Sequence, residues 1–298
     1  MFKKVLDFLI GVILFIVFFL LKIIGKKSAS NICAFLFSKV GPFTKFENIA
    51  VKNILYVWPD KKKNYVKKIT KKMWKNIGRN FGELIHLKNY KPLNNNEAKV
   101  IGLKKIEHII LQNKKKKKGI IFFSAHFGNW ELGPIIINNL NLNPLCLYRK
   151  SNNKFVEYLL QNIRTSNATY APKGDIGAKK SFLWLRKGKS LAMLMDQKLN
   201  EGPSVDFLGK PAPTASFIAE MAIRMGLDIV PIKFSRNKKN QNIITFYDKI
   251  VLPKKNLSKD KKIEFILQLV NNTMSQWIKS QPEYWLWIHR RWPKELYL

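Results

Sequence analysis

The sequence predicts an α/β fold, a largely parallel central sheet flanked by helices, preceded by an N-terminal transmembrane helix and a set of amphipathic helices. Three observations carry that expectation. An apolar stretch opens the chain, apolar residues then recur at helical spacing to about Tyr90, and beyond a lysine-rich loop short apolar runs alternate with helical segments. With 298 residues, 46% of them hydrophobic, and only 13 Pro and 15 Gly, the chain can bury a sizeable core and is neither disordered nor collagen-like. The division that follows is a membrane anchor at 1–27, a helical membrane-proximal region at 28–113 and an α/β core at 114–298, with 28–298 forming one compact domain.

The anchor is the stretch 5–24, VLDFLIGVILFIVFFLLKII, whose uncharged centre lies between Asp7 and Lys22. Twenty helical residues cover about 30 Å, the thickness of a bilayer core. The competing readings are a buried core helix and a cleaved signal peptide, with Ser28-Ala29-Ser30 as its cleavage site. The apolar stretch is long for a signal, and Lys26 and Lys27 are wrong for one. Lys3 and Lys4 precede the stretch, whereas Lys22, Lys26, Lys27, Lys39 and Lys45 follow it, so the positive-inside rule puts the main domain on the cytoplasmic side.

In the next region Ile32, Phe35, Leu36 and then Ile49, Ile54, Leu55 mark helix faces, punctuated by Pro42 and Pro59. Trp58, Tyr65 and Trp74 among many lysines suit either an anionic membrane surface or an inward-packed helical subdomain. The run from Lys114 to Lys118 reads as a solvated loop. After it, strands are expected at 119–125, 144–148, 190–195, 228–234 and 242–251, and helices near 131–139, 154–164, 175–187 and 215–225. That alternation gives the parallel, buried sheet.

Charge narrows the partners. Lys+Arg number 54 against 19 Asp+Glu, a formal net charge of +35, which points to nucleic acid, anionic lipid or a phosphorylated substrate. Only 8 of the cations are Arg and 27 residues are Asn, so part of the excess is compositional drift. In such a chain the few arginines mark places where a planar fork is needed. Cys33 and Cys146 lie far apart without ligand spacing, which argues against a disulfide scaffold or a structural zinc site.

The first four expected strands each lead into a polar residue: His126, Arg149, Asp196 and, soon after the fourth, Arg236. In open α/β sheets ligands bind beyond the carboxyl ends of strands, so these residues would converge on one crevice. The sharpest local sequence is Ser124-Ala125-His126-Phe127-Gly128-Asn129-Trp130-Glu131. On a regular helix His126 and Glu131 would stand about 140° apart, so they meet only across a bend. Gly128 permits that bend, and Asn129 is a good N-cap for a helix starting at Trp130. Glu131 could then hold one imidazole N–H while the other ring nitrogen takes a proton from a hydroxyl, with His126 otherwise a core histidine and Glu131 a helix-dipole partner. No HExxH pairing or GxSxG frame occurs, so neither a metal nor a serine nucleophile is expected.

HFGNWE at 126–131, the segment from Leu194-Met195-Asp196-Gln197 through Gly202, Val205-Asp206-Phe207-Leu208-Gly209, Ala212 and Thr214, and the ending YWLWIHRRW at 284–292 resemble the late acyltransferases of lipid A biosynthesis, the lauroyl/myristoyl-type, lysophospholipid-acyltransferase-like enzymes. The likeness runs from the anchor to the C-terminus. It implies a single-pass bacterial inner-membrane protein with its catalytic domain facing the cytoplasm. It also implies transfer of a fatty acyl chain from acyl carrier protein to a hydroxyl of a lipid A precursor, with no cofactor beyond the phosphopantetheine that carries the thioester. His126 and Glu131 match the family's catalytic pair, and Arg149 and Asp196 fall in its Tyr-Arg and Asp-Gln segments. Leu208 stands where a second aromatic is common.

The residues fit this chemistry. Gly128, Asn129 and Trp130 amides or the Arg149 guanidinium are candidate oxyanion donors, Asp196 is a candidate substrate-binding residue beside them, and Arg164, Arg236, Arg290 and Arg291 are candidate contacts for acidic substrates. The expected partners are acyl carrier protein, the lipid A precursor and an anionic membrane surface. A glycerol-phosphate or lysophosphatidate acyltransferase would leave the aromatic ending unexplained. A membrane-tethered nucleic-acid binder would leave the polar strand ends unexplained, so no nucleic acid is expected.

Overall fold

The computed structural model describes residues 2–93, 97–164, 168–199, 202–253 and 256–298. Four helices come first: α1 (Phe2–Ile23), α2 (Lys26–Val40), α3 (Lys45–Val57) and α4 (Lys63–Leu84). The sheet and its helices follow as β1 (Ala98–Ile101), α5 (Leu103–Lys115), β2 (Ile120–Ser124), α6 (Leu132–Asn139), β3 (Leu145–Tyr148), α7 (Lys154–Arg164), β4 (Thr169–Pro172), α8 (Asp175–Arg186) and β5 (Leu191–Leu194). A hairpin of β6 (Ser204–Phe207) and β7 (Lys210–Pro213) precedes α9 (Phe217–Met225), β8 (Asp228–Arg236), β9 (Asn242–Phe246) and α10 (Lys259–Ser280).

Among the described residues one seven-stranded sheet runs in the order β1-β9-β8-β2-β5-β3-β4. Every pairing in it is parallel except β8 with β9. The expected α/β architecture is therefore the observed one. Strand β1 comes from within the stretch that the sequence assigns to the helical region, and it joins the sheet at the far edge through β9. The edge strand β4, the β6–β7 hairpin and α10 are not among the expected elements.

All five residues of β2 are buried, as a strand covered on both faces requires. Its alternation sends Ile121 and Phe123 to one core, with α4, α9, α10 and the C-terminal tryptophans, and Ile120 and Phe122 to another, with α1, α5 and α6. Helix α2 lies close on α4. A Cβ at Gly78 would come within 2.2 Å of the Cys33 carbonyl, and one at Gly82 within 2.4 Å of the Ala29 carbonyl. Trp74 is buried, and its indole donates to Glu47, so this aromatic packs inward.

Helix α1 contains 20 residues, Lys4–Ile23, long and apolar enough to cross a membrane. It is not free of the domain. Asn153 at the start of α7 donates to the Asp7 carbonyl at 2.9 Å, Phe155 packs against Gly11, and Phe18 and Leu21 are buried.

Candidate active site

Parallel pairing of β2 with β5 sets Ser124 opposite Leu194, so the two strands end side by side. The residues just beyond them meet. Asp196, fully buried, accepts from the His126 backbone N–H at 2.8 Å through Oδ2 and faces the His126 ring at 2.8 Å through Oδ1. The Trp285 indole adds a third bond, from Nε1–H to Oδ2 at 2.8 Å. Burial alone would favour the neutral acid. The contact with the His126 ring, with the nearby His289 and the Trp285 donor, outweighs it and holds the Asp196 carboxyl well below the usual carboxylate range. An ionised carboxylate can only accept, so Nδ1 of His126 is the donor in this contact.

The C-terminal segment closes over this group. Gly128 N–H donates to the Tyr284 carbonyl at 2.9 Å and Leu286 N–H to the His126 carbonyl at 3.0 Å. Trp285, Trp287 and Trp292 are fully buried. The His289 ring stands edge-on to His126, with centroids 4.4 Å apart. Burial first and the nearby His126 second push the His289 pKa down to about 3, so it is neutral. Ligand atoms of His126, Asp196 and His289 lie within 4.8 Å of one another and are the residues that could hold a metal ion. Asp196 already spends both oxygens on N–H donors, so an ion would have to displace the bonds that orient His126.

His126 lines a cavity of about 230 Å³ at the carboxyl ends of the strands. Trp130, Glu131, Arg149, Arg164, Lys173 and Gln197 share its polar part, and Phe122, Ile137, Ala192, Ile232 and Phe234 line its apolar part. Cys146 also faces it, but burial keeps that thiol far above the usual thiol range, so it is an apolar lining group and no nucleophile.

Glu131 is placed differently from the sequence expectation. Its two oxygens are taken by Arg164, from Nε at 3.1 Å and from Nη2, a bidentate fork. The orienting position on His126 belongs to Asp196. Burial disfavours the charge on Arg164, but Glu131 more than offsets it and raises the guanidinium pKa. Arg164 is therefore committed to Glu131 at the cavity rather than free for an acidic substrate.

Gly128 and Asn129 form the bend but not the cap. Gly128 has φ +59, and a Cβ there would lie 2.2 Å from the Phe234 carbonyl oxygen, so glycine is required twice over. Helix α6 starts at Leu132, later than Trp130, and the Asn129 side chain donates instead to Glu83 at 2.8 Å. With the Gly128 amide spent on Tyr284, the Asn129 and Trp130 amides that follow it have no acceptor among the described residues.

Arg236 is not at a rim. Strand β8 carries it into the interior, 4% exposed, where it forks onto Glu83 at 2.7 and 3.0 Å and reaches Asn80 at 2.9 Å. Asn76 and Asn80 in turn donate to the Gly128 carbonyl at 3.1 and 2.6 Å. Arg291 is fully buried and donates to the Pro213 carbonyl and Thr214, and Arg290 stacks over Tyr297 at 5.7 Å. None of these three lines the cavity. The sequence reading passes over Asn76, Asn80, Glu83 and Lys173, and it quotes Trp285 and His289 within the 284–292 ending without giving either a role. The first three recur at i, i+4 and i+7 of α4, a polar stripe at helical spacing that could have flagged a buried network.

The chain belongs to the bacterial lipid A biosynthesis acyltransferase family, whose model matches residues 2–294. It is accordingly an acyltransferase, and the family implies a lipid A precursor as acceptor. No curated protein matches the chain.

Proposed function

We propose that the protein moves a fatty acyl chain from the phosphopantetheine thioester of acyl carrier protein to a hydroxyl of a lipid A precursor, with His126 as general base and Asp196 as the residue that orients it. The observation that carries this reading is the 2.8 Å contact between His126 Nδ1 and Asp196 beside a cavity whose far part is apolar. Nε2 takes the hydroxyl proton as the oxygen attacks the thioester carbonyl. The C–O bond forms, the C–S bond breaks, and the proton passes from Nε2 to the departing thiolate. Charge on the carbonyl oxygen is met by the Asn129 and Trp130 amides and by Arg149. The apolar part of the cavity takes the acyl chain. Glu131 acts through Arg164, fixing a charged wall at the cavity.

Helix α1 anchors the protein in the bacterial inner membrane, with the catalytic domain cytoplasmic. The +35 charge suits an acidic carrier protein, a phosphorylated acceptor and anionic lipid. The test is the initial rate with acyl carrier protein as donor and either a lipid A precursor or lysophosphatidate as acceptor. Turnover only with the first supports the reading, and a preference for the second overturns it. Extraction of the protein by salt, or recovery of a soluble form shortened near Ser30, would overturn the anchor.

A further inference from the structure

A second cavity, of about 360 Å³, lies where α1, α7 and the turn after α4 come together. One wall is α1 itself, through Phe15, Phe19 and Lys22, and the opposite wall is Leu159 and Ile163 of α7. The two helices run side by side in the same direction, since Asn153 bonds Asp7 near the start of each and Leu159 and Ile163 follow toward the α1 C-terminus. Phe15 to Lys22 is seven residues, about 10 Å along the helix. The slot is thus mostly apolar along its length, with Asn89 and Asn162 as its uncharged polar groups, and cationic at one end. Lys22 closes the last turn of α1. Lys88 belongs to the same end, because His86, two residues before it, contacts the Leu21 carbonyl at 3.1 Å. Both lysines are exposed, neither has a carboxylate partner among the described residues, and no acidic residue lines the slot.

We infer that this slot binds one bilayer phospholipid with a net-negative headgroup, its phosphate between Lys22 and Lys88 and an acyl chain between α1 and α7. The inference rests on the reading of α1 as a membrane anchor, which brings the slot to the lipid boundary. Polarity matches the ligand end for end: the cations sit where the apolar helix stops and headgroups begin, and the hydrocarbon walls extend from there. A zwitterionic headgroup would bring a cation of its own to two lysines with no counter-ion. The bound chain also fills the space behind Ile163, whose neighbour Arg164 forks onto Glu131 at the catalytic cavity. A lipid in the slot therefore braces the last turn of α7 and, through it, the Glu131–Arg164 wall.

The experiment uses the full chain in mild detergent, with native mass spectrometry after adding dioleoyl-phosphatidylglycerol or dioleoyl-phosphatidylcholine, and the transfer rate in micelles of each lipid. The expected result is one phosphatidylglycerol retained several-fold over phosphatidylcholine and a several-fold higher rate with it. The double variant Lys22→Glu/Lys88→Glu should lose both the preference and the stimulation while keeping the rate seen in phosphatidylcholine. A control, Lys104→Glu/Lys115→Glu on α5, should behave as wild type. Leu159→Trp, which fills the slot, should reduce retention of both lipids. Equal retention of the two lipids by wild type, or unchanged preference in the Lys22/Lys88 variant, overturns the inference. So does displacement of phosphatidylglycerol by one equivalent of lipid A precursor, which would make the slot part of the acceptor site. Sedimentation with phosphatidylcholine vesicles separates the two readings: binding there without phosphatidylglycerol preference leaves the anchor standing and removes the slot, whereas failure to sediment removes the anchor.

Discussion

Two polar clusters grip the loop from His126 to Glu131, one through His126 and one through Gly128 and Asn129, and they differ in what they leave unanswered. In the first, Asp196 is saturated with donors, yet Nε2 of His126 and the buried Nε2 of His289 have no partner among the described residues. In the second, both oxygens of Glu83 and all three nitrogens of Arg236 are satisfied, and the cluster is sealed from solvent. Burial opposes the charge on Glu83, but Arg236, Ser30 and Asn129 together hold its carboxyl below the usual range. A cluster with a spare lone pair at a cavity can move a proton. What the second cluster leaves unpartnered, the buried amide oxygens of Asn129 and Asn242, is not basic, so it can only hold a shape, and the Glu83–Arg236 group holds the carbonyl of Gly128 at the turn that delivers His126.

Removing the proposed base should have the largest effect on rate. His126→Ala is expected to lose about a hundred- to ten-thousand-fold in turnover, the contribution of a positioned base, with little change in melting temperature. Asp196→Asn should fall in the same range, and His126→Ala/Asp196→Asn should be little worse than His126→Ala, because the two act as one unit. Retention of more than about a tenth of wild-type rate by His126→Ala, far above what loss of a base allows, would remove the reactive half of the comparison.

The sealed cluster should respond in stability first. Breaking a buried pair leaves one charge unanswered, so Arg236→Met or Glu83→Gln should cost about 3–5 kcal/mol in a denaturant or thermal melt. Glu83→Gln/Arg236→Met should recover part of that, since the stranded charge is gone. A large rate loss with an unchanged melt in either single variant would make this cluster catalytic and erase the distinction.

Glu131 sharpens the boundary between the clusters. Because its carboxylate is on Arg164, Glu131→Gln should lower turnover moderately, less than Asp196→Asn, and His126→Ala/Glu131→Gln should give additive losses. Non-additive losses would restore a direct His126–Glu131 pair.

The reason the sequence points to Glu131 is physical. Spacing along the chain reveals a partner five residues away across a bend, whereas Asp196 is 70 residues away and reaches His126 only because β5 pairs with β2. What was legible is what local pattern encodes: short apolar runs gave β2, β3, β5 and β8, and their polar ends marked His126, Arg149 and Asp196. Arg236 shows the limit, since its strand is nine residues long and carries it past the cavity into the α4 contact. Strand β4, four residues at a sheet edge, has no apolar run to announce it. Arg291 is likewise silent, because a buried guanidinium answered by Pro213 and Thr214 looks in sequence like a surface cation.

Acid should separate the clusters less strongly. Asp196 and Glu83 both have folded pKa values below their unfolded ones, so their stabilising contribution is complete above the unfolded carboxylate pKa of about 4 and is lost as pH falls through the folded values. Wild type should lose stability below about pH 4 more steeply than Glu83→Gln. The smallest effect is expected at Arg149, which lines the cavity exposed: Arg149→Lys keeps the charge but not the fork, and should lower turnover by about tenfold or less. A wild-type rate would make it a surface cation.

In the proposed mechanism Asp196, and not Glu131, fixes the tautomer of His126. ¹⁵N spectra of the histidine-labelled protein at neutral pH read that tautomer directly, with His126→Ala identifying the signals. The account predicts a protonated Nδ1 and a bare Nε2 in wild type, retained in Glu131→Gln and lost in Asp196→Asn. A proton on Nε2 in the wild-type protein, or a tautomer that follows Glu131 and ignores Asp196, would contradict it.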